Sequence, residues 1–223
     1  MSTLRDLLSD LAPGAVRNVA LGEVGEFIRG RRFTKADYVD AGLGSIHYGE
    51  IYTDYGTTAT AVHRFVRPEL RSSLRLARRG DLVIAATGEN VQDVCKAVAW
   101  LGDEEVAVHD DCYIFRHELD PTYAAYLFQS AVFNDQKARL ASESKLARVS
   151  GANLAKIVVP VPPLSVQREV VAVLDRFSAL QAELEAQLEA EVRARHVQFT
   201  HYRDALLSFD SLSLSRQPPG GRP

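Results

Sequence analysis

The spacing of hydrophobic and polar residues divides the chain into stretches of different periodicity. Leucines at an i, i+3, i+4, i+7 spacing occupy the first of them: Leu4, Leu7, Leu8 and Leu11. This spacing predicts a short amphipathic helix over residues 3–12, which Pro13 ends. From about residue 16 to 120, short β-type runs alternate with glycine, whereas from Val166 to Phe209 neither proline nor glycine occurs. The pattern predicts a strand-rich domain followed by one long helix.

The central stretch contains several apolar runs that predict strands. They are Val19–Leu21, Ile46–His47, Asp81–Ala86, Val94–Trp100, Val106–Val108, Tyr113–Phe115 and Lys156–Pro160. Asp120 and Pro121 predict a helix start, and one helix is expected to continue through Val132. Residues 141–150 are polar and are expected to form a loop. Because helices do not separate the strands regularly, we expect an α+β fold, a mixed α/β domain, and not a doubly wound nucleotide-binding sheet.

The long helix is expected to start after the prolines at 160, 162 and 163, with Ser165 as its cap. Its apolar residues recur mostly at alternating spacings of four and three: Val166, Val170, Val173, Phe177, Leu180, Leu184, Leu188, Val192, Phe199, Tyr202, Leu206 and Phe209. A helix of this length spans about 65 Å. Since this exceeds the width of the preceding domain, the stripe needs a second helix, and a coiled coil is predicted. The alternative is a helix folded back on its own domain.

These patterns predict four segments. Residues 1–14 form the N-terminal helix, residues 15–163 the mixed domain, and residues 164–209 the coiled-coil helix. Residues 210–223 are rich in serine, proline and glycine and are expected to be disordered.

Composition narrows the setting of the protein. Hydrophobic residues make up 46% of the chain and charged residues 25%, as in globular proteins. No run of about 18 apolar residues occurs, and the first residues lack the pattern of a signal peptide, so no membrane association is expected. Two cysteines, Cys95 and Cys112, favour the cytoplasm over a disulfide scaffold.

Charge is unevenly distributed, although the net charge is only −3. One basic cluster comprises Arg29, Arg31, Arg32 and Lys35, and a second comprises Arg64, Arg67, Arg71, Arg75, Arg78 and Arg79. Either cluster is compatible with a nucleic-acid contact or with an ordinary solvated face.

Motifs for catalysis are absent or incomplete. The chain has no phosphate-binding loop and no methyltransferase motif of the Asn-Pro-Pro-Tyr type. Asp135, Glu143 and Lys145 imitate a Mg²⁺-dependent nuclease, but the acid and the Glu-x-Lys are not expected on one hairpin. Cys95, His109 and Cys112 are too few for a structural zinc site, and His109-Asp110-Asp111 is interpreted as a turn and not as a catalytic dyad. We therefore expect no catalytic residues and no metal site.

The order of several motifs carries a family resemblance. The first motifs are Glu23-Val24-Gly25 and Arg29-Gly30-Arg31, followed by Ile46-His47-Tyr48-Gly49-Glu50-Ile51-Tyr52, Gly80-Asp81-Leu82-Val83-Ile84 and Lys96-Ala97-Val98-Ala99-Trp100. The segment Val159-Pro160-Val161-Pro162-Pro163-Leu164-Ser165-Val166-Gln167 leads into the long helix. Over roughly residues 3–209 the chain resembles the specificity (S) subunit of type I restriction-modification enzymes. It departs at Val166, where the family usually carries an acid.

The resemblance implies a non-catalytic target recognition domain that reads one half of a bipartite site in double-stranded DNA. It also implies docking to methyltransferase (M) subunits and a restriction (R) subunit, which would bind S-adenosylmethionine, ATP and Mg²⁺; no cofactor is expected in this chain. Family members have two recognition domains and two helical regions, so this chain resembles a half-subunit, and a homodimer is expected. The alternatives are a free-standing coiled-coil DNA-binding regulator and a fragment of a longer specificity subunit.

Two sets of residues are predicted to make these contacts. The DNA-binding candidates are basic or polar residues expected in loops between strands: Arg29, Arg31, Arg32, Lys35, Tyr48, Tyr52, Thr87, Asn90, Lys145 and Arg148. Tyr48 and Tyr52 fit a supporting role equally well. The predicted dimer interface is the helical stripe: Val170, Val173, Phe177, Leu180, Leu184, Leu188, Val192, Phe199, Tyr202 and Leu206.

Overall fold

The structure is a computed structural model that describes residues 16–143 and 146–208. The predicted N-terminal helix, the predicted disordered tail and Lys145 lie outside the described residues. The chain divides into two compact units, with the boundary between Ala172 and Val173. None of the described helices has the length and apolarity needed to cross a membrane.

Strands and helices alternate irregularly along the first unit. The strands are β1 (Arg17–Ala20), β2 (Gly25–Arg29), β3 (Tyr38–Val39), β4 (Leu43–Ile46), β5 (Thr58–Ala59), β6 (Arg64–Val66), β7 (Leu76–Ala77), β8 (Leu82–Ala85), β9 (Thr87–Gly88), β10 (Ala97–Trp100), β11 (Val106–Val108), β12 (Cys112–His117), β13 (Ser142–Glu143), β14 (Ala147–Arg148) and β15 (Val158–Val161). The helices are α1 (Leu21–Val24), α2 (Tyr48–Thr53), α3 (Pro121–Leu127), α4 (Ala131–Leu140), α5 (Gly151–Leu154) and α6 (Leu164–Ser208). Short 3₁₀ turns cover Lys35–Asp37 and Pro68–Ser72.

A five-stranded sheet in the order β2-β12-β8-β10-β5 forms the centre of the domain. Alternate residues of β8 enter different cores: Leu82 and Ile84 pack on one face, and Val83 and Ala85 on the other. This alternation follows from the two-residue period of a strand, and burial of both faces explains why the strand is apolar throughout. Helix α3 packs against β10 and β8 on the face of Leu82.

A second sheet, in the order β3-β6-β4-β11-β7, lies across the core on the other face of the first. In β11, Val106 and Val108 enter the core shared by the two sheets, whereas Ala107 joins a small outer cluster with Phe33. Most pairs are antiparallel, and β10–β5 and β11–β4 are parallel. The predicted α+β fold, a mixed domain followed by a long helix, is confirmed.

The proline segment joins the domain to α6 through buried contacts. Strand β15 pairs antiparallel with β1, and the Tyr123 hydroxyl donates to the Pro160 carbonyl at 2.9 Å. The buried side chain of Gln167 donates to the Pro162 carbonyl and accepts from the Asp120 amide, each at 2.8 Å. Val166 is also buried, so an apolar residue fits where the family usually carries an acid. These contacts fix the first turns of α6 to the domain.

Several local predictions were wrong because side-chain caps and the pairing with a distant strand, β9, were overlooked. The helix opened by Asp120 ends at Leu127, and a second begins at Ala131 because the Ser130 hydroxyl accepts from the Phe133 amide. Residues 48–52, predicted as a loop, form α2, and residues 142–148, also predicted as a loop, contribute β13 and β14. Helix α6 begins at Leu164, so Ser165 lies within it and does not cap it.

Candidate nucleic-acid interface

Helix α2 is held at the surface by its own cap. The imidazole of His47 accepts from the Gly49 amide, and the Glu50 carboxylate accepts from the His47 amide, both at 3.3 Å. Such a reciprocal cap stabilises a helix too short to persist alone. Ile51 is fully buried and anchors the helix to the core between the two sheets.

Two clefts adjoin α2, and Gly49 and Thr53 line both of them. The cleft of about 440 Å³ is shared with Phe33, Thr34 and Lys35, and we call it the loop-side cleft. The cleft of about 470 Å³ is shared with Gly88, Glu89 and Leu146, and we call it the hairpin-side cleft. The structure therefore places α2 between three of the sequence-predicted contact regions.

The basic residues 29–35, called here the arginine loop, are fixed by backbone bonds. The Gly30 amide donates to the Cys112 carbonyl at 3.0 Å, and the Arg31 amide to the Val108 carbonyl at 2.9 Å. Phe33 is buried, whereas the side chains of Arg32 and Lys35 are exposed. A backbone held by hydrogen bonds thus presents two exposed cationic side chains.

Two arginines of this loop also support the domain. The guanidinium of Arg29 donates through Nε to the Asp110 carbonyl at 3.0 Å, and that of Arg31 through Nη1 to the Ser73 carbonyl at 3.3 Å. Both side chains remain exposed and retain other N–H groups for a ligand.

The hairpin of β13 and β14 brings Arg148 to the same region. Arg148 pairs with Thr87 of β9 and with Ser142 of β13, and its side chain is exposed. The Thr87 side chain is buried. Asn90 closes a turn by accepting from the Asp93 amide at 2.9 Å.

The two candidate tyrosines are placed differently. The Tyr52 hydroxyl lies 3.0 Å from the Thr87 carbonyl and 3.1 Å from the Asp93 carbonyl, so it ties α2 to β9. Burial raises the pKa of Tyr52 well above its usual value, which keeps this donor protonated. Tyr48 is half-buried and faces the hairpin-side cleft. The structure assigns Tyr52 a supporting contact.

A row of aromatic rings connects the arginine loop to α2. Its members, each in contact with the next, are Tyr38, Phe33, His109, His47, Tyr48 and Tyr52. The closest pair, His47 and His109, has ring centroids 4.5 Å apart. Burial lowers the pKa of His47, and the neighbouring His109 lowers it further. The sequence offered one signal for His47, its position three residues before Glu50 in a capping-box spacing.

The second basic cluster is largely paired with acids. Arg67 pairs with Asp37, Arg71 with Glu105, and Arg79 with Asp103. Arg64 lies 3.3 Å from the buried Glu50, whose pKa is raised by burial. Acids offset the positive charge of this cluster, which favours the solvated-face interpretation over a DNA contact.

The zinc hypothesis that joins Cys95, His109 and Cys112 receives no support from the described residues, and the nuclease hypothesis rests partly on residues outside them. Cys95 and Cys112 are buried in different cores, on opposite faces of the central sheet, and burial raises the pKa of both thiols. Asp135 lies on α4 and is exposed, whereas the side chains of Glu143 and Lys145 are outside the described part.

Helix α6 carries a row of exposed large apolar side chains. Among the predicted interface residues they are Val173, Phe177, Leu180, Leu184, Leu188, Val192, Phe199, Tyr202 and Leu206. Leu184 is 66% exposed and Leu206 71%. Val170 differs, because it packs against the domain core.

Comparison with known proteins identifies the family. Residues 13–194 match the type I restriction modification DNA specificity domain. The chain belongs to this family. This specificity-domain protein is 39% identical over 191 residues to a Haemophilus influenzae protein named as a type I restriction enzyme specificity subunit. It is 24% identical over 214 residues to the EcoR124I/EcoR124II specificity subunit of Escherichia coli.

The alignments cover most of the specificity-domain protein but only part of its relatives. They include 86% and 92% of this chain, and 48% and 51% of the two relatives, so the chain spans about half of their length. A solved structure described as the basis of complex assembly and conformational transition of the type I R-M system aligns with 86% of the chain at a TM-score of 0.65 and 21% identity. The HsdS subunit of Thermoanaerobacter tengcongensis aligns with 80% at a TM-score of 0.52 and 19% identity. The two alignments cover 46% and 43% of the chains in those structures, and they show that the fold is shared.

The predicted family is thus confirmed. The specificity subunit is the non-catalytic, DNA-recognising part of a type I restriction-modification system, so the prediction that the chain is not itself an enzyme is confirmed by the family.

Proposed function

We propose that the domain reads one half of a bipartite DNA site with the surface around α2. The observation that carries this proposal is a set of exposed cations near the clefts. Lys35 lines the loop-side cleft and Arg32 lies in the same loop, while Arg148 lies two residues after Leu146, which lines the hairpin-side cleft. Phosphates are held by such cations, and base edges are read by arginine forks and polar groups that enter a groove. Tyr48, which lines the hairpin-side cleft, adds an aromatic contact. The hydrogen bond from the Tyr52 hydroxyl to the Thr87 carbonyl holds α2 in place.

We further propose that α6 pairs with the α6 of a second copy. An exposed apolar stripe on a helix is stable in water only when another surface covers it, and an identical helix carries a matching stripe. Antiparallel pairing relates the copies by a two-fold axis and places two identical readers at opposite ends of the pair. The recognised site is then an interrupted palindrome.

The length of α6 sets the spacing between the half-sites. Its 45 residues span about 67 Å, which is about two turns of B-DNA at 34–36 Å per turn. Two readers separated by whole turns meet the same face of the duplex. Chemistry on the bound DNA belongs to partners: M subunits that hold S-adenosylmethionine, and an R subunit that uses ATP and Mg²⁺.

The Arg148→Ala variant tests the assignment of the surface. We expect DNA affinity to fall about tenfold without loss of folding, because one arginine contact to a base or phosphate contributes about 1–3 kcal/mol when it forms a bidentate pair. The measurement is a fluorescence titration of a duplex carrying the recognised motif at two salt concentrations, with circular dichroism as the folding check.

Arg79→Ala is the matched control, since Arg79 is exposed but paired with Asp103 outside the clefts. Equal affinity of Arg148→Ala and the unmodified protein would remove Arg148 from the interface. An equal loss in both variants would show that only overall charge matters.

A further inference from the structure

We propose that His47, His109 and Asp111 form a binding site for a divalent transition-metal ion of the zinc class. One ligand atom from each of the three lies within 4.8 Å of those of the other two. His47 ends the segment after β4 and caps α2, whereas His109 and Asp111 lie in the turn between β11 and β12. The fold thus joins residues 62 positions apart, which explains why no metal site was predicted from these three residues.

Both ring nitrogens of His109 have a hydrogen-bond partner, and the bond at Nδ1 is the one that a metal ion would replace. Nε2 lies 3.2 Å from the Phe33 carbonyl, and because a carbonyl only accepts, Nε2 carries the proton. Histidines that bind metals commonly hold their other N–H in this way. In the neutral ring Nδ1 then has a lone pair, to which the Asp111 amide approaches at 3.3 Å.

Carboxylate oxygens of two neighbouring residues lie close to Nδ1 of His109. Nδ1 of His109 lies 3.2 Å from Oδ1 of Asp110 and 3.6 Å from Oδ2 of Asp111. The nitrogen and the two carboxylate oxygens are thus close enough together to hold one cation. The imidazole of His47 is centred 4.5 Å from that of His109, and its Nδ1 lone pair, which accepts from the Gly49 amide at 3.3 Å, is the one that a metal ion would take over.

The donor set selects the class of ion. Two imidazoles and a carboxylate are typical ligands of Zn²⁺, Co²⁺ and Ni²⁺, whereas Mg²⁺ and Ca²⁺ prefer oxygen alone. Tetrahedral zinc with bonds of about 2.0–2.1 Å places its ligand atoms about 3.4 Å apart. The 3.6 Å between His109 and Asp111 is already close to this value. Asp110 or water supplies the fourth position.

Such an ion would fix the base of the arginine loop. The ring of His109 holds the Phe33 carbonyl, and the Asp110 carbonyl holds Arg29. A bound dication also offsets two carboxylates beside the cations offered to DNA. Metal binding stands apart from the DNA-reading role; only its effect on DNA affinity rests on the proposed function.

The test starts with the full chain freed of metal by a chelator that is then removed. Titration with ZnCl₂ in a calorimeter is expected to show one site per chain of micromolar affinity or tighter, and Zn²⁺ is expected to raise the melting temperature. CoCl₂ is expected to give the visible absorption of a four-coordinate site with nitrogen ligands. The absence of saturable binding, or a six-coordinate cobalt spectrum, would overturn the proposal.

Two variants locate the site. His47→Asn keeps a side chain that caps a helix while it removes the imidazole, and Asp111→Asn removes the carboxylate at nearly constant size. Each is expected to weaken Zn²⁺ binding at least tenfold, and His63→Asn and Asp40→Asn, outside the cluster, are expected to leave it unchanged. Unchanged binding in both site variants would place the metal elsewhere and overturn the proposal.

A thermal stability that responds to pH but not to Zn²⁺ would assign the position to a proton and overturn the proposal. If metal binds as described while DNA affinity stays the same, the proposed effect of the metal on DNA affinity is wrong, and the DNA-reading role is not affected by that result.

Discussion

Replacing Leu180 and Leu184 by aspartate is expected to abolish the proposed pairing of two α6 helices and to leave monomers. The two leucines are 53% and 66% exposed in the single chain, so their replacement changes the stability of the single chain little. They become buried only when two helices pair. Burying one leucine contributes about 1.5–3 kcal/mol, and four are lost per dimer. Four carboxylates in the seam add a desolvation cost. Sedimentation velocity at micromolar concentration is the measurement.

The matched control changes the same helix away from the stripe. Ala182 and Ala186 are exposed on the opposite face of the helix, so their replacement by aspartate costs only helix propensity, about 0.7 kcal/mol each. We expect this control to remain dimeric, with equal helicity by circular dichroism. A dimer that survives the leucine replacements would contradict pairing through α6.

The second large effect is expected for Gly30→Ala. A Cβ at Gly30 would lie 2.1 Å from the His109 carbonyl oxygen and 2.5 Å from that of Val108. Both obstacles are backbone, so the arginine loop must move away from the turn between β11 and β12. Overpacking of this kind costs about 1–3 kcal/mol. We expect a melting temperature lower by roughly 2–12 °C, at about 2–4 °C per kcal/mol for a chain of this size, and weaker DNA binding.

Gly56→Ala provides the control, because no atom lies within 4 Å of a Cβ built there. It is expected to melt within about 2 °C of the unmodified protein, since a residue in open space seldom changes stability by more than about 0.5 kcal/mol. Equal melting temperatures for both alanine variants would show that the arginine loop is not seated as described.

Periodicity predicted the larger features of the fold. The stretch free of proline and glycine became α6, and the apolar runs around residues 82–85, 97–100 and 106–108 became strands buried on both faces. Asp120 and Pro121 opened a helix as predicted. These features depend on local pattern, which the sequence displays directly.

Short elements defined by side-chain caps were not predictable from periodicity. Helix α2 has only six residues, and its cap is a histidine, a residue type rarely used in that position. The strands β13 and β14 have two residues each and exist because β9 provides a partner distant in sequence. Tertiary contacts decide such elements, and local propensity does not.

The site was predicted as separate segments but not as a surface. The sequence indicated the basic residues 29–35 and the segment Tyr48–Tyr52, and the structure joins them through a row of aromatic rings. The sequence alone showed neither that Thr87 is buried nor that acids pair with several arginines of residues 64–79. Those outcomes depend on the register of strands far apart in the chain.

The central claim is that two identical copies read one DNA molecule. Methylome sequencing of cells that express this chain with its M subunit tests it most directly, because the modified bases report the recognised motif. The account predicts a palindromic motif with an unspecified spacer between identical half-sites. An asymmetric motif, with two different halves, would contradict it.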